Sequence, residues 1–409
     1  MPRTFPGTLR RMLLGLAAML LLAAAVRWMV SRPVVRFSLG RATALVAAPG
    51  VKSFAVREED GSWRLYGCSS RKPGDGQQLP GPVLGMPALQ ADGSAYVLTD
   101  EGLRWMHGSE ALMPGGEVLL VIGHDLLPAG CRLEGVVGGD LPLLSAPMSA
   151  AGGPAGPRKL LLCEGAPKTP DLRTVFDAEG EAQLPAGAEP VLSRNSLAFA
   201  FVGARGWEAW SLDSPHLARR VVAEGCARPG AVFTPDGRAL VVPGRTDGLW
   251  LLGLADGRLD LMADGNLGVS RRVAHAVGFR AQPPLMVAPG WGLDGWLQIF
   301  QTHLSGGGRT AFGTGFMHHY GVVLSPDGNL MVYAQASFDE KSDEPFVEEL
   351  YAFDFARPGE AAQQLDTRAG GGAAQGPYFV GDKGSLVYIA QGEARRVELL
   401  PVPVREESP

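Results

Sequence analysis

Two adjacent histidines, His318 and His319, are the most reactive-looking pair of side chains in the 409-residue sequence. Imidazoles titrate near neutral pH and are common metal ligands. The pair stands before an apolar run, 322–324, that predicts a strand. Adjacent residues on a strand point to opposite faces, so both cannot easily bind one metal ion. We predict His318 and His319 as candidate binding residues; the alternative is one packed and one solvated histidine.

Aromatic side chains interleaved with glycine form a second candidate site. Trp291 and Trp296 lie in the segment 290–296, Gly-Trp-Gly-Leu-Asp-Gly-Trp. Exposed tryptophans are frequent anchors of binding surfaces. We predict Trp291 and Trp296 as binding residues, although tryptophans in stacked sheets, including Trp207 and Trp210 here, also serve as core packing.

The same segment contains the spacing G-x-G-x-x-G, at Gly290, Gly292 and Gly295. A dinucleotide site needs a helix after these glycines, because the helix N-terminus holds the pyrophosphate. The residues that follow, 296–300, alternate between apolar and polar in the manner of a strand. We therefore predict no nucleotide cofactor.

Other signatures of catalysis or metal binding do not occur in the sequence, including G-x-S-x-G, H-E-x-x-H and the Walker A loop. The segment 338–345 does carry four carboxylates in six positions. Its spacing is not that of an EF-hand, so it is typical of a solvated hairpin tip. The predictions are no catalytic residue, no cofactor and no metal.

Four cysteines, Cys68, Cys131, Cys163 and Cys226, are compatible with an oxidising compartment. Three pairings are possible, and a disulfide between Cys131 and Cys163 is the preferred one because it would close the loose stretch between them. The alternative is four buried thiols that pack as small apolar groups.

The N-terminus has the layout of an export signal or membrane anchor. Arg10 and Arg11 precede an apolar run, 12–26, that predicts one hydrophobic helix. Fifteen residues are few for a span, which needs about 20, but snorkelling of Arg27 would extend the run to Val30. Three alanines, 23–25, fit a cleavage site. We predict an uncleaved anchor in a bacterial inner membrane with the body in the periplasm; the alternative is a cleaved, soluble periplasmic or secreted protein.

Charge is distributed unevenly along the chain. Residues 1–41 carry seven arginines and no acid, which leaves 30 basic and 42 acidic residues, a net charge of −12, in the remainder. An acidic body repels phosphate backbones, so nucleic-acid binding is excluded. The predicted partners are the membrane, through the N-terminal segment, and one or more proteins of the cell envelope.

Short apolar runs between turn signals recur through the body and would position these side chains. Thr-Pro-Asp-Gly at 234–237 returns as Ser-Pro-Asp-Gly at 325–328, each before an apolar strand. The two aspartates are 91 positions apart (327 − 236), which is two repeats of about 45 residues. Repeats of this length predict an all-β propeller of six to eight four-stranded blades, with seven favoured. A β-sandwich is the alternative.

This organisation predicts three segments. Residues 1–41 are the signal and a juxtamembrane linker, residues 42–404 are the β-propeller, and residues 405–409 are a polar tail. The stretches 138–158 and 366–376 lack a strand pattern and predict flexible loops.

The Pro-Asp-Gly turn, the strand after it and the following Leu-Trp (249–250) or Leu-Tyr (350–351) pair resemble the repeats of TolB-type β-propellers, which are related to WD-repeat blades. Two copies are clear, at 231–256 and 321–355, and degenerate copies lie near 88–108, 190–214 and 379–401. The resemblance implies a propeller and leaves its ligand open. The predicted function is a non-enzymatic scaffold for protein–protein interaction in the envelope; a propeller enzyme (lactonase-like or quinone-dependent) or a ligand or glycan sensor with a site at the central channel is the alternative.

Overall fold

The computed structural model is built almost wholly from β-strands. It describes residues 34–399 apart from 48–49, 108–117, 149–155, 194, 213–217, 229, 245–247, 265–277, 281–284, 292–296, 304–308, 313–317, 326, 339–344, 356–361, 368–375 and 382–384. Two 3-10 turns, Pro73–Asp75 and His124–Leu126, are the helical elements of the described part. None of its helices has the length and apolarity that a bilayer crossing requires. The predicted helix at 12–26, the tail from 405 and most of 366–376 lie outside the described residues.

The described strands form eight antiparallel sheets, numbered here in chain order. Sheet 1 contains β2 (Ala44–Val46), β3 (Ser53–Arg57), β4 (Trp63–Gly67) and β5 (Gln77–Gln78), and sheet 2 contains β6 (Ala88–Leu89), β7 (Ala95–Thr99), β8 (Gly102–Met106) and β9 (Val118–Gly123). Sheet 3 contains β10 (Arg132–Val137), β11 (Leu141–Pro147), β12 (Arg158–Glu164), β13 (Asp171–Thr174) and β14 (Gln183–Leu184). Sheet 4 contains β15 (Val191–Leu192), β16 (Ala198–Val202), β17 (Gly206–Ser211) and β18 (Arg219–Glu224).

Sheets 5 to 8 continue the same up-and-down order. Sheet 5 contains β19 (Val232–Phe233), β20 (Ala239–Pro243), β21 (Gly248–Gly253) and β22 (Leu259–Asp264), and sheet 6 contains β23 (Gly278–Arg280), β24 (Leu285–Trp291), β25 (Leu297–His303) and β26 (Arg309–Phe312). Sheet 7 contains β27 (His318–Leu324), β28 (Leu330–Phe338), β29 (Pro345–Asp354) and β30 (Gln363–Thr367). Sheet 8 contains β31 (Tyr378–Val380), β32 (Ser385–Ala390), β33 (Glu393–Leu399) and β1 (Val34–Arg41).

Each sheet is a propeller blade, and the predicted fold class is confirmed. The first strand of a sheet lies beside the first strand of the next, from β6 through β10 and β15 to β19, and from β23 through β27 to β31. First strands therefore form the inner wall of the propeller, and fourth strands form its rim. The five predicted repeat copies each coincide with three consecutive strands of one sheet.

Apolar side chains fill the spaces between neighbouring sheets. Trp210 packs between sheets 3 and 4, while Trp207 packs between sheets 4 and 5. The two side chains are almost fully buried. Sheet 8 closes against sheet 1 through a further apolar cluster that includes Leu39, Phe54 and Val387. The alternative that Trp207 and Trp210 are core residues is thus confirmed.

The Pro-Asp-Gly segment at 235–237 joins the first and second strands of sheet 5 in the tight turn that its residues predict. The hydroxyl of Thr234 donates to Asp236 at 2.6 Å, and the amide of Arg238 donates to the same carboxylate at 3.1 Å. Gly237 has a φ of +66°, which L side chains rarely adopt. Asp327 is bonded in the same way to the hydroxyl of Ser325 and the amide of Asn329.

Because strands alternate in direction, the propeller has two different faces. The turns between first and second strands, such as 234–238 and 325–329, lie on one face, which we call the turn face. The hairpins between second and third strands and the connections from sheet to sheet lie on the other, the connector face. The loops of the two faces therefore come from different parts of the repeat.

The chain closes the propeller with its own N-terminal strand. β1 pairs with β33 in antiparallel register, with Val34 opposite Leu399 and Phe37 opposite Arg396. β1 (Val34–Arg41) thus belongs to sheet 8, and it lies in the segment predicted as the juxtamembrane linker. Because β1 supplies the last sheet with its fourth strand, no β33 edge is left open there.

One further expectation requires correction. The segment 138–158 is not a continuous flexible loop, since β11 and the first residue of β12 lie in it and build sheet 3. The described strands form eight sheets, which is within the predicted range of six to eight.

The preferred Cys131–Cys163 disulfide is absent, and the four cysteines are thiols. Cys163 lies on β12, whereas Cys131 immediately precedes β10, and β11 runs between these strands. Strands two places apart are separated by about 10 Å, which exceeds the Cα separation of about 7 Å that a disulfide can bridge.

Candidate interaction site

The structure places three of the four candidate positions, His318, His319 and Trp291, at the connector face. His318 and His319 begin β27, opposite Ala336 and Gln335 of β28. Trp291 ends β24 and pairs with Leu297, while Trp296 lies outside the described residues. β24 runs toward the connector face and β27 starts from it, so topology brings these three positions to one face of sheets 6 and 7.

The glycine pattern does not lead into a helix. Gly290 lies in β24 and the strand β25 follows, as predicted, while Gly292 and Gly295 lie outside the described residues. Among the described residues there is no group of three His, Cys, Asp or Glu side chains that could hold a metal ion. The acidic positions of 338–345 lie outside the described residues.

A pocket of about 980 Å³ opens on the connector face beside sheet 3. The start of β10, the end of β11 and the start of β12 form one side of it. Residues 187–189, in the connection from sheet 3 to sheet 4, form another side, and Leu84 and Gly85 from the connection into sheet 2 complete it. This volume is within the range of pockets that take a small molecule or several side chains.

The pocket lies where the space between sheets 3 and 4 changes from apolar to polar. Ser145 of β11 is opposite Arg132 of β10 and opposite Leu160 of β12, so the three share one surface of sheet 3. Toward the turn face this surface continues with Leu143 and Leu162, which belong to the apolar packing against sheet 4. Toward the connector face it ends in the polar side chains at the pocket.

Arg158 is the centre of that polar group and is only 5% exposed. Its guanidinium donates to the hydroxyl of Ser145 at 2.7 Å, to the carbonyl of Gly130 at 2.7 Å and to the carbonyl of Ser145 at 2.8 Å. These acceptors are neutral. The hydroxyl of Ser145 also bonds to the carboxylate of Glu134. Glu134 is the extra residue where the register of β10 against β11 shifts, and such bulges redirect side chains.

The electrostatics of the pocket are weakly positive. Three cationic side chains, Arg132, Arg158 and Lys159, and two carboxylates, Glu134 and Glu189, line it. Burial lowers the pKa of Arg158, and the neighbouring guanidinium of Arg132 lowers it further, while Glu134 opposes the change. An arginine remains charged at neutral pH in any case, so the site keeps two guanidinium groups near each other.

Cys131 also lines the pocket, but its thiol has low reactivity at neutral pH. Burial raises the pKa of its thiol to about 11, and the charge of Arg158 only partly offsets this effect. The thiolate is the nucleophilic form of cysteine, so at neutral pH this thiol is almost wholly in its unreactive form.

Exposed apolar side chains occur in the segments that line the pocket or directly adjoin the lining residues. Leu84 lines it directly and is 49% exposed, Met86 lies two residues further and is 56% exposed, and Met148 follows the lining residue Pro147 and is 40% exposed. Leu126 is 71% exposed and lies two residues before the lining residue Pro128. Exposed apolar groups gathered at one place on a soluble surface mark binding sites more often than scattered ones do.

Sequence reading missed this site because it treated 138–158 as a loop. The apolar run before Ser145 and the run 160–163 after Arg158 are the signal that could have revealed two paired strands. The sequence has no signal that the chain brings Arg132, Ser145 and Arg158 to one surface, since that depends on the strand register.

Comparisons with solved structures support the fold. The crystal structure of the WD40 domain of SCAP from fission yeast is similar with a TM-score of 0.53 and 10% sequence identity, over 91% of this chain and 99% of that chain. The crystal structure of Saccharomyces cerevisiae Sqt1 is similar with a TM-score of 0.51 and 9% identity, over 91% of this chain and 100% of that chain. These likenesses define the chain as a β-propeller with WD40 structural neighbours.

No family model matches the chain. A search of curated proteins also finds no match.

Proposed function

We propose that this protein is a membrane-anchored, non-enzymatic β-propeller scaffold that binds a protein partner in a bacterial cell envelope. The pocket at sheet 3 carries this proposal, because its mixed polar lining lies among four exposed apolar side chains. Such a combination is typical of protein-binding surfaces, in which apolar anchors give affinity and polar groups give orientation.

The N-terminal sequence and the position of β1 support anchoring. The apolar run ends at residue 26 and β1 includes Val34, so at most seven residues, 27–33, separate the two. Seven extended residues reach at most about 25 Å. Val34 lies opposite Leu399 at the turn-face end of sheet 8, so a tether there leaves the connector face directed away from the bilayer.

The propeller repeat supports a TolB-type assignment within the propellers. The side-chain oxygens of Asp236 and Asp327 each close a Pro-Asp-Gly turn in the same place between first and second strands. The TolB-type assignment describes the repeat only. The chemistry of the partner is inferred from the pocket and not from the repeat.

The lining of the pocket supports a binding role more than a catalytic one. Its described residues include no histidine, and the one thiol among them is protonated at neutral pH. Nucleophilic catalysis needs an accessible thiolate, or an accessible hydroxyl with a base beside it, and the Ser145 hydroxyl that bonds to Glu134 is fully buried. Arg132, Arg158 and Lys159 are cations suited to recognition of a negative group.

Fractionation of the native host and crosslinking in its membranes test the proposal. We expect the full-length chain in the membrane fraction, released by detergent and not by high salt, with an N-terminus at residue 1. Crosslinks should connect the connector face, for example through Lys159, to the same partner protein in repeated experiments. A mature chain that starts after residue 25 in the soluble fraction, or crosslinks confined to the turn face, would contradict it.

A further inference from the structure

We propose that the pocket at sheet 3 binds an extended peptide segment of the partner in which an acidic side chain stands beside large apolar residues. The carboxylate contacts the guanidinium groups of Arg132 and Arg158, and the apolar residues lie against Leu84, Met86, Leu126 and Met148. This inference rests on the proposed scaffold function and names the chemistry of its partner.

The polar floor is suited to a carboxylate. Arg158 is held in place by three hydrogen bonds to Ser145 and Gly130, so little side-chain entropy is lost when it binds a ligand. Its acceptors carry no charge, which leaves its positive charge uncompensated by them. Arg132 is exposed and lies on β10, which β11 separates from the strand of Arg158; its guanidinium is near enough to act on the charge of Arg158, and an anion between the two groups stabilises both.

The apolar surroundings make a free small anion a poor occupant. An inorganic anion would fill a small part of the 980 Å³ and would leave the apolar side chains in water. Burial of these side chains is favourable, and only a ligand with apolar groups can bring that gain. Two of the four are methionines, whose flexible thioethers adapt to different apolar partners.

A polyanion such as a nucleic acid is also disfavoured. The body of the chain carries a net charge of −12, whereas the pocket has an excess of one positive charge from three cations and two carboxylates. Long-range repulsion by the body therefore acts against a chain of phosphates, while a single carboxylate can be attracted at short range. A peptide with one or two acidic residues meets both conditions.

A random peptide library displayed on phage, selected on the purified full-length chain, tests this directly. The expected result is enrichment of peptides with Asp or Glu next to Leu, Met or Phe. A fluorescein-labelled peptide of the enriched sequence should bind the chain in fluorescence anisotropy. Its Asp→Asn or Glu→Gln analogue should bind at least about tenfold more weakly, because a charge-assisted hydrogen bond is lost.

Variants of exposed residues locate the binding. Arg132→Glu should weaken binding of the labelled peptide at least about tenfold, and Met86→Ser should weaken it about three- to tenfold. Arg258→Glu and Leu261→Ser are the matched controls, because Arg258 is an exposed cation directly before β22 of sheet 5 and Leu261 is an exposed apolar side chain on that strand. These controls should leave binding within about twofold.

Enriched peptides without an acidic residue, no enrichment at all, or equal binding to the Arg132→Glu variant would overturn the inference. Displacement of the peptide by millimolar acetate or phosphate would also overturn it, because the site would then be one for small anions. Any of these results combined with persistent crosslinks of the connector face in native membranes would leave the scaffold function standing. A soluble, cleaved chain without such crosslinks would instead remove the proposed function itself.

Discussion

The hydroxyl of Ser196 donates a 2.9 Å hydrogen bond to the carbonyl of Gly237, which joins the first turn of sheet 4 to the first turn of sheet 5. Asn195 bonds to the carbonyl of Pro235 in the same junction. Related bonds run from Gly138 to Ser193 at 3.0 Å between sheets 3 and 4. The turns of neighbouring blades on the turn face are therefore connected to each other, and the repeat motif serves the assembly of the ring.

Further backbone bonds extend this connection around the turn face. The amide of Ala91 donates to the carbonyl of Gly139 at 3.3 Å, which joins sheets 2 and 3. The amide of Gly381 donates to the carbonyl of Val51 at 2.7 Å, which joins sheet 8 to sheet 1. Because the turn-face loops are occupied with one another, the connector face has more freedom to vary and to bind.

Substitution of Gly237 should measure the strength of this junction. Gly237→Ala places a Cβ at a φ of +66° and 2.4 Å from the Ser196 hydroxyl, so both strain and a clash are expected. Gly392→Ala is the matched control, with a φ of +74° and open space around the Cβ. Left-handed strain alone should lower the free energy of unfolding by about 1–2 kcal/mol in each variant.

Urea unfolding of the two variants gives the comparison. Gly237→Ala should be the less stable, because Ser196 must move and lose its bond to the Gly237 carbonyl. Equal free energies of unfolding for the two variants would show that loss of the Ser196–Gly237 bond between sheets 4 and 5 does not destabilise the protein.

Truncation should reveal where the propeller begins. A chain that starts at Val34 keeps β1 and should unfold cooperatively at nearly the midpoint of the full chain. A chain that starts at Ala42 lacks β1, exposes the edge of β33 and loses the buried side chain of Leu39. Exposed edges promote association, so this variant should melt earlier and form larger species in size-exclusion chromatography. Identical behaviour of the two truncated chains would refute the closing role of β1.

Among the residues that join sheet 8 to sheet 1, Arg396 should be the one whose substitution lowers the free energy of unfolding most. It is 3% exposed, donates to the carbonyl of Ser70 at 3.0 Å and to Ser385 at 3.2 Å, pairs with Glu398, and lies over the ring of Phe37. Arg396→Met leaves these acceptors without their donor, and a lost bond to a charged group costs about 1.5–3 kcal/mol.

Chemical denaturation of Arg396→Met and of Arg258→Met supplies the test. Arg258 also pairs with an acid, Asp260, but its side chain is 73% exposed. Exposed pairs contribute about 0–1 kcal/mol, so the control should change little. A loss at Arg396 no larger than that at Arg258 would rule out a clamp between sheets 8 and 1.

Acid should destabilise the propeller through its turn aspartates. For Asp236, burial raises the pKa, but the hydroxyl of Thr234 and the amide of Arg238 outweigh it and the net shift is downward. For Asp327, burial is likewise outweighed by the Ser325 hydroxyl and by Asn329. A lowered folded-state pKa gives stability that is present above the unfolded pKa of about 4 and is lost as the pH falls through the folded value.

The double variant Asp236→Asn, Asp327→Asn should therefore be less stable than the wild-type protein at pH 7. Its unfolding midpoint should also fall less steeply between pH 5 and pH 2, within the range in which carboxylates titrate. Parallel curves for the two proteins across this interval would mean that these carboxylates do not contribute to the acid sensitivity.

Thiol titration should distinguish the packed thiols from a disulfide. Burial raises the pKa of both Cys131 and Cys163 to about 11, so both should react slowly with Ellman's reagent at pH 8 in the native state. All four cysteines should react in denaturant without a reducing agent, because none forms a disulfide. Detection of only two reactive thiols under those conditions would contradict this arrangement.

Local patterns were sufficient to predict the blades with clear turns. Pro-Asp-Gly at 235–237, Ala-Asp-Gly at 91–93 and the alternating runs beside them depend on bonds between residues two to five positions apart, such as that of Asp236 to Arg238. These bonds form whatever the rest of the chain does, so the composition of the segment indicates them. The export or anchor segment at 12–26 depends on composition alone and stays a prediction.

Only the tertiary structure decided how the ring closes and where the candidate site lies. β1 pairs with β33 across more than 350 positions, and the sequence of an eight-residue strand does not indicate which strand it pairs with. Arg132, Ser145 and Arg158 meet because of strand register and a bulge at Glu134, and a shift of one residue would send their side chains to the opposite surface. The sequence by itself determined the all-β repeat, because turns and alternation are local. The number of sheets and the pocket beside sheet 3 were decided by pairing over long distances.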